Sequence, residues 1–140
     1  MRPSKRTAIL LASIVMIPAA YAGELRIGLA EDPDALDPAQ SRTLVGRIVF
    51  ASLCDKLVDI TPDLKFTPQL ATAWSFSDDG LTLTMDLREG VVFHDGTPFN
   101  AEAVVANIDR YKTMEESVRK SELASVESVE ALGELQVAFH

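Results

Sequence analysis

Hydrophobic and polar positions alternate most sharply between residues 81 and 88. Leu81, Leu83, Met85 and Leu87 interleave with Thr82, Thr84, Asp86 and Arg88. A period of two predicts a strand with one buried face. Ser77-Asp78-Asp79-Gly80 precedes it, a turn in which Gly80 can take positive φ. The stretch from Ala73 to Ala101 reads as a tight hairpin, a second strand, a Gly-Thr-Pro turn and a helix start.

The same reading extends to the rest of the chain. Leu25-Arg26-Ile27-Gly28-Leu29-Ala30 is predicted as a first strand. Glu31 to Pro38 carries two prolines and three aspartates, which exclude helix and central strand and predict a loop. Thr43 to Lys56 is predicted helical, with Ser41 or Thr43 as its cap. Leu44, Val45, Ile48, Val49, Phe50 and Leu53 form its apolar face. Leu57 to Ile60 follows as a short strand, and Thr61 to Leu64 as a turn. Asn100 caps a helix from Ala101 to about Met114, whose buried stripe is Val104, Val105, Ile108 and Tyr111. Glu115 to Glu122 is charged, aperiodic and expected to be exposed. A second hairpin is predicted about Gly133, from Val126 to Ala131 and Leu135 to His140. As read, the chain stops on a strand with nothing to close it.

The N-terminus has a different character. Arg2, Lys5 and Arg6 precede an apolar run from Ala8 to Ile17, then Pro18 and Ala20-Tyr21-Ala22. This three-part pattern predicts a signal peptide over residues 1–22, cleaved between Ala22 and Gly23. The run is short of the ~20 residues that span a bilayer. Its removal takes three of the 13 bases and none of the 21 acids, leaving a formal net charge of about −11. Such a charge argues against nucleic acid and anionic membranes as partners. The single cysteine, Cys54, excludes an internal disulfide framework and is expected to be a buried small hydrophobe.

Several segments, taken in order, resemble one family. They are Leu36-Asp37-Pro38, Leu53-Cys54-Asp55-Lys56-Leu57-Val58, Pro68-Gln69-Leu70-Ala71-Thr72-Ala73-Trp74, Ser77-Asp78-Asp79-Gly80-Leu81-Thr82, and Leu87 through Phe99. The helix ending near Asn107-Ile108-Asp109-Arg110 also fits. Together they resemble the N-terminal part of the family 5 solute-binding proteins, the extracytoplasmic receptors of peptide, oligopeptide and nickel ABC importers. The resemblance implies a mixed α/β (α+β) fold, the beginning of a two-lobed periplasmic binding protein of the dipeptide/oligopeptide type. Residues 23–140 would then be an incomplete family domain, without its second lobe. It implies a transport receptor without catalysis, partnered by a small solute (a peptide above all) and by ABC permease subunits of the inner membrane. Glu31 and Asp32 are the candidate ligand contacts. They follow the predicted first strand, where ligands of open α/β sheets tend to bind. A solvated acidic loop is the competing reading.

Candidate chemistry is sparse. His94 and His140 are the two histidines, and neither has ligand partners at metal spacing. His94 reads as a turn residue bonded near Asp95. Asp78 and Asp79 read as a solvated turn, and Trp74 as packing. No G-x-S-x-G and no P-loop occurs. No catalytic residue, metal site or cofactor is assigned. An exported hydrolase or metal-dependent enzyme, with its active site in an absent C-terminal part, is the alternative.

Overall fold

The computed structural model describes residues 24–140. The predicted signal peptide and the Ala22–Gly23 bond lie outside the described residues.

Helix α1, Leu44–Leu53, is capped by Thr43, whose side chain accepts from the Gly46 N–H. Strands β1 (Val58–Ile60) and β2 (Phe66–Pro68) pair antiparallel as a small ribbon. Strand β3 (Ala71–Phe76) turns through Ser77–Gly80 into β4 (Leu83–Leu87). In that turn Gly80 has φ +72°, and the Asp79 carboxylate accepts from Ser77 Oγ at 2.6 Å and Leu81 N at 3.0 Å. Helix α2 is Ala101–Thr113, capped by Asn100, with Glu102 in its first turn and Arg110 and Lys112 in its last. That charge order suits the helix dipole. Strands β5 (Val129–Gly133) and β6 (Gln136–Phe139) complete the described elements.

The larger sheet is antiparallel throughout, in the order β3-β4-β6-β5. Trp74 pairs with Met85, Met85 with Val137, and Val137 with Ala131. These four form one transverse row across the sheet. Helix α2 lies against β5 and β6 and adds Ala101, Val104 and Ile108 to a core shared with Ala71, Met85, Leu87, Phe99 and Val137. Both ends of α2 are tied to the β5–β6 hairpin. Ala101 N donates to Glu134 O at 2.9 Å, and Lys112 Nζ donates to Val126 O and Glu127 O at 2.6 and 2.8 Å. A helix packed on one face of an antiparallel sheet is the mixed α+β arrangement expected.

The structure corrects several expectations. Residues 25–30 form no strand, and Leu25 and Ile27 are exposed. A strand needs a hydrogen-bonded neighbour, and no described strand pairs with this segment. Helix α1 buries Val45 and Gly46, whereas Leu44, Ile48 and Leu53 remain exposed because no described element covers that side. Cys54 is exposed at the helix end. It adopts an extended C-cap conformation there, outside any core. The charged stretch 115–122 is not uniformly exposed: Ser117 is buried and Arg119 lies three-quarters covered. Among the described strands β6 lies inside the sheet, between β4 and β5, with β3 and β5 at the sheet's two sides.

Leu87 is 5% exposed within this core. Truncating a buried leucine removes transfer energy and leaves a cavity, about 2–5 kcal/mol. Leu87→Ala is therefore expected to lower the urea unfolding midpoint by that equivalent. Exposed Leu81→Ala should leave the midpoint within ~0.5 kcal/mol.

Candidate functional site

Glu31 and Asp32 are exposed at the head of a loop that runs to residue 43. The loop has no regular secondary structure, and hydrogen bonds to its side chains and carbonyls hold it. Asp34 is one hub. Its Oδ1 accepts from Ser41 Oγ at 2.6 Å and Thr43 Oγ1 at 2.9 Å, and its Oδ2 from Arg42 N at 3.4 Å. The Ser41 hydroxyl is the main cause that lowers the Asp34 carboxyl to about 2. Ser41 is itself 2% exposed. Gly46 permits this closeness, because a Cβ there would stand 2.0 Å from Ser41 Oγ.

Asp37 is the second hub. Its Oδ1 accepts from Ala39 N at 2.9 Å. Its main-chain carbonyl accepts from the Gln40 and Ser41 amides. Arg110, on the last turn of α2, grips the Asp37 carboxylate with both Nη atoms. That hydrogen-bonded ion pair holds the Asp37 carboxyl below the usual carboxylate range and pushes the Arg110 guanidinium up.

The segment beyond α2 supplies a third set of contacts. Arg119 Nε donates to Pro38 O at 2.9 Å and its Nη2 to Ser41 O at 2.7 Å. Its Nη1 pairs with Glu122. Val118 N donates to Ala39 O at 2.8 Å. In return, the Arg42 guanidinium donates to Val118 O and Ser121 Oγ. A depression of about 300 Å³ lies beside this junction, lined by Arg42, Arg47, Arg119 and Glu122.

The other sequence candidates lie apart from this loop. His94 is exposed, and Asp95 beside it accepts from Thr97 N at 2.9 Å and Thr97 Oγ1 at 2.7 Å. The expected His94 bond is thus replaced by one that closes the Asp95–Thr97 turn. Asp79 shapes its turn as described, and Trp74 packs against the core. Among the described residues no group of three or more His, Cys, Asp or Glu side chains could hold a metal ion. Also among them, no helix is long and apolar enough to cross a membrane.

The sequence reading missed Asp34, Asp37, Arg110 and Arg119 as a connected set. A local signal existed for one of them: Asp34 precedes Ser41 and Thr43, which are capping residues. The arginines lie 73 to 81 residues from their loop partners, beyond any local pattern.

The described residues thus form a mixed α+β unit, an antiparallel four-stranded sheet with one packed helix, preceded by an acidic loop without regular secondary structure. Residues 65–140 match the family described as bacterial extracellular solute-binding proteins, family 5 Middle. The chain belongs to that family. Over 114 residues it is 35% identical to the glutathione-binding protein GsiB of Salmonella typhi, covering 81% of this chain and 22% of that relative. Among solved structures it is similar to Campylobacter jejuni NikZ in complex with Ni(L-His), with TM-score 0.67 and 28% identity over 78% of this chain and 22% of that one. It is also similar to a dipeptide-binding protein of Pseudoalteromonas sp. SM9913 in complex with Met-Leu, with TM-score 0.68 and 26% identity over 77% and 25% of the two chains. The chain thus spans about a fifth of the curated relatives it matches, 22% for the Salmonella protein.

Asp34 and Asp37 both titrate below their ordinary values. Their hydrogen bonds are therefore fully held above the usual Asp value of 3.8, and those of Asp34 are lost as pH falls through its folded value of about 2. The amide resonances of Ser41 and Arg42 are expected to shift as pH falls through about 2. Asp34→Asn should abolish the part of that shift belonging to Asp34. An unchanged titration in the variant would assign it elsewhere.

Proposed function

We propose that this chain is part of the substrate-binding component of an ABC importer, a receptor that captures a peptide and performs no chemistry on it. The observation that carries this reading is the family match over residues 65–140. The preference for a peptide is supported by what related proteins bind. The Salmonella relative is named for glutathione, and the Pseudoalteromonas structure holds Met-Leu. A Bacillus subtilis oligopeptide-binding protein of TM-score 0.67 and 25% identity holds a nonapeptide.

In this proposal residues 1–22 are a cleaved leader, and the mature chain begins at Gly23 in the periplasm. Residues 23–140 form the N-terminal part of a two-lobed receptor, which closes on its solute by shifting between open and closed populations. Glu31 and Asp32 contact the solute, and their carboxylates suit an ammonium or amide N–H group. The closed receptor delivers its solute to permease subunits of the inner membrane.

Calorimetric titration of the full gene product with reduced glutathione and with Met-Leu tests the reading. Saturable binding of either, with the ligand recovered unchanged, is expected. Turnover of the ligand, or binding of neither probe, would overturn it. Replacing Glu31 by Gln and Asp32 by Asn together should weaken the bound probe about tenfold, equivalent to ~1.4 kcal/mol. Intact-mass measurement of the exported protein should give a chain that starts at Gly23.

A further inference from the structure

Apart from the adjoining Thr43, the groups that fix the 34–42 loop from outside belong to α2 or to residues 118–122 beyond it. Arg110 lies two residues beyond Ile108, which is buried in the core. The helix is thereby held in place by its apolar face while it presents a guanidinium to the loop. Arg119 is three-quarters covered and binds two loop carbonyls, Pro38 O and Ser41 O. The loop's own amides of Ala39, Gln40, Ser41 and Arg42 are spent on Asp34 and Asp37, and Pro33 and Pro38 carry no N–H.

Two of the three guanidinia bordering the neighbouring depression, those of Arg42 and Arg119, are engaged with the protein itself. Arg119 uses Nε, Nη1 and Nη2 on Pro38, Glu122 and Ser41. Arg42 engages Val118, Ser121 and Glu122. This arrangement fits a structural junction better than an anion site.

We propose that Arg110 and Arg119 are positioning residues for the solute-contacting segment: they transmit the rigidity of the α2–sheet core to Glu31 and Asp32 through Asp37, Pro38 and Ser41. The proposal rests on the receptor reading given above. The two arginines touch no solute. They fix the stem of the loop, and the stem limits the positions its two acids can reach. A forked guanidinium suits this task, since it holds a carboxylate or two carbonyls in one orientation.

The test uses the full gene product, with reduced glutathione and Met-Leu as probes. The variants are Arg119→Ala, Arg110→Lys and, as a distant control, Lys65→Ala. Arg110→Lys keeps the charge and removes the fork, so it reads the same effect if Arg119→Ala fails to fold. In both arginine variants, amide hydrogen exchange at Ser41 and Arg42 is expected to quicken at least tenfold. Exchange at Val137 should stay as in the wild type. Kd for the bound probe should rise about tenfold. That rise should shrink toward unity when Glu31→Gln and Asp32→Asn are already present, because neutral side chains leave little to position.

A wild type that binds neither probe would overturn the receptor reading, and this proposal with it. A wild type that binds, with arginine variants of unaltered Kd, would overturn the positioning role alone. Effects on Kd that multiply in full with those of Glu31→Gln and Asp32→Asn would do the same, since independent sites add in free energy.

Discussion

The packing of α2 on the transverse row of the sheet is the interaction on which the rest depends. Val137 has no exposed surface, and Met85 flanks it on the neighbouring strand. Val104 and Ile108 join the same buried cluster from the helix. Burial of one such side chain contributes roughly 1.5–3 kcal/mol. Elsewhere the described residues bury much less apolar surface. Leu25, Leu44, Leu53 and Phe66 are each more than half exposed. The α2–sheet unit is therefore the part best able to hold its own geometry, and the loop near residue 34 takes its geometry from it.

The junction between loop and helix works by orientation more than by strength. Arg110 and Asp37 are partly solvated, with side chains 44% and 25% exposed. Exposed ion pairs contribute about 0–1 kcal/mol each. Their number and directions matter more than their energies. Asp34 draws in two hydroxyls and an amide, and Arg119 takes two carbonyls. A segment interrupted by prolines thus acquires a defined path without secondary structure.

The legible part of the fold was its local part. The alternation about Met85, the turn at Gly80, the Asn100 cap and the Gly133 hairpin are short-range patterns, and each appears in the structure. What failed depended on neighbours distant in sequence. Leu25 to Ala30 has strand composition but no strand partner among the described residues. Leu44, Ile48 and Leu53 on the apolar face of α1 have the right spacing but no cover among the described residues. Cys54 looked buried because its neighbours are apolar, yet the helix ends there and turns it outward. At the candidate site Glu31 and Asp32 were legible as a loop after an apolar segment. Arg119 was not, because a charged aperiodic stretch gives no sign that one of its cations will be covered by two carbonyls.

The position of β6 has a consequence for how this region comes into being. Its partner β4 lies about fifty residues earlier, since Asp86 pairs with Gln136. As the polypeptide emerges, the β3–β4 hairpin can form early, but the inner edge of β4 stays without a neighbour. The seat for α2 does not yet exist either, because Val137 belongs to the late strand. Long-range antiparallel pairing of this kind slows folding and prolongs the exposure of an open edge. Assembly is thus ordered along the chain: β6, the latest of the described strands, enters between β4 and β5, and its arrival completes both the core and the frame to which the loop is tied.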